Sequence, residues 1–154
     1  MNRGLIFFED ENYLFFIRNL ERYLSLVMDI IAYYLMPTHY HLLICVKENE
    51  NVMYSEEVPD FSKEKHSSIT KAIQRFSISY TKAVNKRYER VGPLFQGSYQ
   101  AKLIKGISHS KRIIPYIHEN PVQAGLVNIA SDWEFSSARI YEIIVEPGFI
   151  KPLI

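Results

Sequence analysis

The chain has 154 residues, 47% hydrophobic and 14% aromatic, with 18 Lys+Arg against 17 Asp+Glu and a formal net charge of +1. That balance suits one folded domain over residues 1–154 with a sizeable core, and it excludes a disordered or polyelectrolyte chain. A single cysteine, Cys45, excludes an intramolecular disulfide framework and fits a reducing, cytoplasmic setting.

Glu9, Asp10 and Glu11 stand near the start, which suits no secretory signal. Asp10 is a candidate cap for a helix from about Glu11, with Leu14, Ile17, Leu20, Leu24 and Val27 at roughly helical spacing. Val27 to Met36 reads as a buried strand; interrupted by Asp29, it is far too short to span a bilayer, so no membrane partner is expected. Pro37-Thr38 turns it into a second strand carrying His39-Tyr40-His41-Leu42-Leu43-Ile44-Cys45-Val46, closed by Lys47-Glu48-Asn49-Glu50. The two form a hairpin. Strand side chains alternate faces, so His39 and His41 point the same way and can jointly hold one divalent ion. An isolated pair of this kind is more often an ordinary surface or core feature, and its weight comes from its company. Cys45 shares their parity, which admits a ligand role, although a buried small hydrophobe is the commoner use.

Residues 49–65 are polar, hold Pro59 and read as a loop. A second helix is predicted from about residue 67 to 88. Ile69, Ile73, Phe76, Tyr80, Ala83 and Val84 share one face, while Lys71, Arg75, Lys82 and Lys86 gather on the other, with Arg87 and Arg90 beyond them. Between Lys63 and Arg112 fall twelve of the 18 basic residues and only two of the 17 acids, Glu64 and Glu89. Such a concentration of positive charge suits a polyanion such as nucleic acid, although a solvated helix face is an equal reading of charge alone. After Gly92-Pro93 a strand is expected through Leu94 to Ile104, with Gly97 as a bulge or close-approach point. A third helix begins around Ser108 or Ser110 and ends at Asn120-Pro121, since the residue before proline is pushed out of the helical region. Residues 121–124 then form a further turn closed by Gly125. The pattern is α+β: a small antiparallel sheet with helices packed on it.

The third helix places Tyr116 and Asn120 four residues apart, on one helical face. A phenol can attack phosphorus, and an amide oxygen suits Mg²⁺ or Mn²⁺. Taken singly, Tyr116 is one of 11 tyrosines and Asn120 a plausible helix terminus.

The segments Leu35-Met36-Pro37-Thr38-His39-Tyr40-His41-Leu42-Leu43-Ile44, Ser79-Tyr80-Thr81-Lys82 to Asn85-Lys86-Arg87-Tyr88, Gly92-Pro93-Leu94-Phe95-Gln96-Gly97, Tyr116-Ile117-His118-Glu119-Asn120-Pro121-Val122-Gln123-Ala124-Gly125-Leu126-Val127 and Asp132-Trp133-Glu134-Phe135-Ser136-Ser137 occur in this order. Together they resemble the HUH single-tyrosine transposases, in particular the REP-associated tyrosine transposase branch, over nearly the whole chain. The resemblance implies a ferredoxin-like antiparallel sheet with packed helices, His39, His41 and Asn120 as ligands of Mg²⁺ or Mn²⁺, and Tyr116 as nucleophile. It further implies cleavage and rejoining of single-stranded, hairpin-flanked DNA through a 5′-phosphotyrosine, with Lys71, Arg75, Lys82, Lys86, Arg87 and Arg90 facing the DNA. A homodimer is one way to bring the tyrosine helix to the metal. Three departures stand out: the family's first strand is expected to be missing before Met1-Asn2-Arg3-Gly4, Pro115 directly precedes Tyr116, and Tyr40 holds the middle HUH position where a bulky apolar residue is usual. The alternatives are a catalytically impaired hairpin-binding remnant and a metal-dependent phosphodiesterase that uses water.

Overall fold

In the computed structural model of the protein, described over residues 4–47, 63–97, 99–102 and 104–143, the elements follow the order helix, hairpin, then three further helices. Helix α1 spans Asp10–Leu24, strand β1 Met28–Met36, strand β2 His39–Val46, helix α2 Lys63–Arg87, helix α3 Gly106–Gln123 and helix α4 Ala138–Ile143, with a 3₁₀ turn at Ala130–Asp132 before α4. The α+β expectation holds.

Helix α1 starts one residue earlier than the sequence suggests, with Glu9 rather than Asp10 at the cap position. Asn12, itself buried, accepts the backbone N–H groups of Phe8 (2.7 Å) and Glu9 (3.1 Å), satisfying donors that a helix start leaves open. The buried stripe is Tyr13, Phe16, Leu20 and Leu24, whereas Leu14, expected inside, is exposed. Five consecutive apolar residues, Tyr13 to Ile17, leave the spacing ambiguous, and the packing of the rings decides it.

Strands β1 and β2 form the predicted antiparallel hairpin, with Met36 opposite His39 and Tyr34 opposite His41. A bulge sits where Ile30 pairs with Ile44 but Ala32 pairs with Leu43, so Ile31 is the extra residue. It resets the alternation. Met28 and Ile30 before the bulge and Leu35 after it enter the core beneath α1 and α2, with Tyr33, Tyr40, Leu42 and Ile44 packed against them. Ala32, Tyr34, Met36 and Leu43 face the other way and form a second core with Ile114 and Ile117 of α3. The sheet therefore separates two layers, and the histidines' face belongs to the α3 side.

The outer edge of β1 is covered by the segment after the 3₁₀ turn. Leu35 donates its N–H to the Phe135 carbonyl (2.8 Å), Ser137 donates its N–H to the Tyr33 carbonyl (3.0 Å), and Trp133 Nε1 donates to the Leu35 carbonyl (2.8 Å). The Tyr141 hydroxyl donates to the Ile31 carbonyl. Backbone groups that a sheet edge leaves open are thus paired from Ile31 to Leu35.

Two expectations are corrected. The described residues between Leu94 and Lys105 form no strand, so among the described residues the sheet has two strands, and none of them precedes α1. Gly92-Pro93 and Gly97 break the extended run, and Gly92 and Gly97 take positive φ of 91° and 76°. Secondly, α3 does not stop before Pro121 but continues to Gln123 and carries both Pro115 and Pro121 inside it. Pro121 is fully buried, and the helix closes behind it with Gly125 at φ 76°, Leu126 N–H on the Pro121 carbonyl and Gly125 N–H on the Val122 carbonyl. The predicted loop over 49–65 falls largely outside the described residues, and α2 begins within it.

Candidate functional site

The hairpin turn places His39 at the first position of β2 and His41 two residues on. Their ring centres are 5.8 Å apart with planes inclined by 75°. Tyr34, almost completely buried, stacks on His41 at 5.0 Å and meets His39 edge-on at 5.8 Å. Thr38 Oγ1 lies 3.0 Å from His39 Nδ1, a contact that helps to fix the orientation of the ring. An imidazole nitrogen binds a divalent ion at roughly 2 Å, so two rings this close can share one ion between them. The donor chemistry fits a metal. Tyr40, between the histidines, points into the opposite layer against Phe16 and Phe95, where burial pushes its phenol up to about 12. Its place in the middle of the motif is therefore a packing role, as an apolar residue's would be. Cys45 is exposed, so it is no buried hydrophobe, and the described residues hold no group of three or more His, Cys, Asp or Glu side chains fit to hold a metal.

Helix α3 rests on this face through Ile114 and Ile117. Its Tyr116 side is open: the residue is 63% exposed. Asn120 Nδ2 donates to the Tyr116 carbonyl at 2.7 Å, which ties the two residues together and leaves the amide oxygen as the acceptor. Both line a surface hollow with Pro115, Glu119 and Gln123, and no histidine lines it. The structure brings His39 to His41 and Tyr116 to Asn120, on elements packed against each other, but does not join the four in one hollow.

Two residues from both Tyr116 and Asn120, His118 turns inward. It is buried, its Nε2 lies 2.8 Å from the fully buried Ser137 Oγ, and its ring meets Tyr141 at 4.8 Å. Burial pushes its pKa down to about 4, so the ring is neutral at ordinary pH. Sequence reasoning passed over His118 and Ser137. The signal was present in the helical spacing, which puts residue 118 on the buried side with 114, 117 and 121.

The basic surface divides into two kinds of residue. Lys71, Arg75, Lys82 and Lys86 are exposed along α2, and none enters an ion pair among the described residues. Arg87 is occupied within the fold: it pairs with Glu9 at 2.6 Å and Glu11 at 3.3 Å. The Tyr88 hydroxyl and Arg87 together hold the Glu9 carboxyl below the usual carboxylate range. Arg90 donates to Asn85 Oδ1 at 2.8 Å and lies over the Phe8 ring at 5.8 Å. These two arginines fasten the end of α2 to the start of α1.

No family model matches the chain. Over 109 residues it is 25% identical to a curated protein of Haemophilus influenzae whose name assigns it, provisionally, to the REP-associated tyrosine transposases. That alignment takes in 71% of this chain, which spans 58% of the length of the curated relative. Among solved structures, a REP-associated tyrosine transposase bound to a REP hairpin superposes with a TM-score of 0.63 at 20% identity, over 98% of this chain and 81% of that one. Both of these proteins carry the name of the family that the sequence motifs resemble, and the structural likeness shows that the chain has that transposase's fold. No helix among the described residues is long and apolar enough to cross a membrane.

Proposed function

We propose that the protein cleaves and rejoins single-stranded DNA next to a hairpin, with Tyr116 as nucleophile. The observation that carries this reading is the exposure of Tyr116 on a helix whose buried side rests on the same sheet face as His39 and His41. An exposed phenol reaches a phosphodiester that a packed one cannot. Its oxygen attacks the scissile phosphorus, the P–O3′ bond breaks, and the departing 3′ oxygen takes up a proton as the phenol gives one up. The 5′ end is then linked to Tyr116. Attack by a 3′-hydroxyl on that phosphotyrosine breaks the P–O bond to Tyr116, restores the phenol and joins the strands, with the bond energy conserved throughout.

His39 and His41 would hold a divalent ion, Mg²⁺ or Mn²⁺, with the Asn120 amide oxygen as a third donor. Such an ion would supply Lewis-acid polarisation of the scissile phosphate. Asn120 has a second task, since its bond to the Tyr116 carbonyl steadies the helical turn that carries the nucleophile. Lys71, Arg75, Lys82 and Lys86 would neutralise DNA phosphates, and this support is independent of sequence. The solved transposase of the same fold carries a hairpin, which favours a structured single strand as the partner here.

The test is incubation with single-stranded hairpin DNA and Mn²⁺ or Mg²⁺, read as a covalent protein–DNA adduct on a denaturing gel. The adduct is expected in the wild type and absent in Tyr116→Phe, His39→Ala and His41→Ala. Hairpin binding without any adduct would leave a DNA-binding remnant, and cleavage that survives Tyr116→Phe without an adduct would mean that water is the nucleophile.

A further inference from the structure

Helix α3 is internally weakened on both sides of its Tyr116–Asn120 turn. Pro115 and Pro121 have no N–H, so the carbonyls four residues earlier lose their helical donors. The orientation of this turn therefore depends on contacts outside the helix. Its apolar contacts, Ile114 and Ile117 on the sheet, hold the helix down without a preferred direction, because hydrophobic burial is non-directional. Its directional contact is His118. Among the described residues, the His118–Ser137 bond is the one side-chain hydrogen bond that joins α3 to another element or segment.

Ser137 is anchored in turn. Its Oγ accepts the Tyr33 N–H at 2.9 Å, its own N–H donates to the Tyr33 carbonyl at 3.0 Å, and the residue has no exposed surface. Tyr33 adjoins Tyr34, the ring that stacks on His41. One short chain of contacts thus runs from the helix with the phenol, through Ser137, to the strand that backs the histidine pair. The Ser137 hydroxyl also donates to the Tyr33 carbonyl at 3.3 Å, and with its one proton there it accepts from the Nε2–H of the neutral His118 ring.

We propose that His118 is a positioning residue: through Ser137 it locks α3 to the outer edge of β1 and sets how Tyr116 and Asn120 are presented relative to the histidine strand. The inference rests on the reading of Tyr116 as nucleophile and extends it to a residue that touches neither DNA nor metal.

The experiment compares His118→Leu, which keeps bulk and removes the bond, with His118→Gln, whose amide can restore it. Two readouts are taken on the full chain: the single-turnover rate of adduct formation and the equilibrium affinity for the hairpin. The expected result is an adduct rate at least tenfold slower in His118→Leu, recovery to within threefold of wild type in His118→Gln, and hairpin affinity within twofold in both. A wild-type rate in His118→Leu, a parallel loss of hairpin affinity, or a His118→Gln as slow as His118→Leu would overturn the proposal. Should the wild type itself give no adduct, the nucleophile reading fails on that control alone, and amide hydrogen exchange over residues 116–120 then decides about the lock. Faster exchange in His118→Leu but not in His118→Gln supports it, and equal exchange in all three overturns it.

Discussion

Tyr34 and His41 are direct cross-strand partners whose rings stack at 5.0 Å with planes only 17° apart. Tyr34 is 1% exposed while His41 lies at the surface, so the buried ring serves as a platform for the outer one. An imidazole so backed is restricted in rotation before any ligand arrives, which lowers the entropy lost on binding.

Removing the platform should therefore weaken the proposed metal site. Tyr34→Leu is expected to weaken Mn²⁺ binding about tenfold, the range seen when groups that orient metal ligands are lost. Titration calorimetry measures this, and an unchanged affinity would show that His41 needs no backing.

The choice of ion should follow donor softness. Two imidazoles suit transition metals better than Mg²⁺, which prefers oxygen donors. Mn²⁺ is expected to support adduct formation at lower concentration than Mg²⁺, and prior chelation should abolish it. Equal half-saturating concentrations would argue for an all-oxygen site elsewhere.

The four exposed cations of α2 and the two engaged arginines should behave differently. Replacing Lys82 and Lys86 by Ala is expected to weaken binding to every hairpin alike and to reduce the slope of log K against log salt by up to about 2. Arg87→Ala removes ion pairs to Glu9 and Glu11 and is expected to leave most of that slope in place. A slope that falls equally in both would place Arg87 on the DNA after all.

The buried hydroxyl of Tyr80 donates to the Ile6 carbonyl at 2.7 Å, in the core between α2 and the segment before α1. Tyr80→Phe is expected to cost about 1–2 kcal/mol, seen as a lower denaturant midpoint, because a buried carbonyl loses its donor. No change in midpoint would mean that water replaces the phenol.

His118 also predicts a pH dependence. Its folded pKa of about 4 lies below the ordinary 6.5, so between these values the unfolded chain binds the proton and the folded one does not. Stability should therefore fall as pH drops from about 6.5 to 4 and stop falling from this source below it. The share due to this ring is on the order of 1–2 kcal/mol after allowance for solvent screening. His118→Gln should flatten the melting-temperature profile across that window, and an unaltered profile would assign the acid sensitivity to other groups.

Much of this arrangement is legible in the chain itself. Alternation along His39 to Val46 placed both histidines on one face, and the helical stripe of Phe76, Tyr80 and Val84 lies where spacing puts it. What local pattern could not show depends on partners far along the chain. The bulge at Ile31 has no glycine to announce it, yet it decides which layer Met28 and Ile30 enter. The helix runs through Pro121 because the ring is buried and the turn behind it is closed, two tertiary effects that override the usual reading of Asn-Pro. The extended-looking run after Pro93 forms no strand among the described residues, and the edge of β1 is covered instead by the segment around Ser137, a hundred residues away.

The measurement closest to the central claim is mass mapping of the adduct formed on hairpin DNA, by protease digestion and location of the nucleotide-bearing peptide. With 11 tyrosines in the chain, the account predicts the modification on Tyr116 alone. A nucleotide found on any other residue would contradict it.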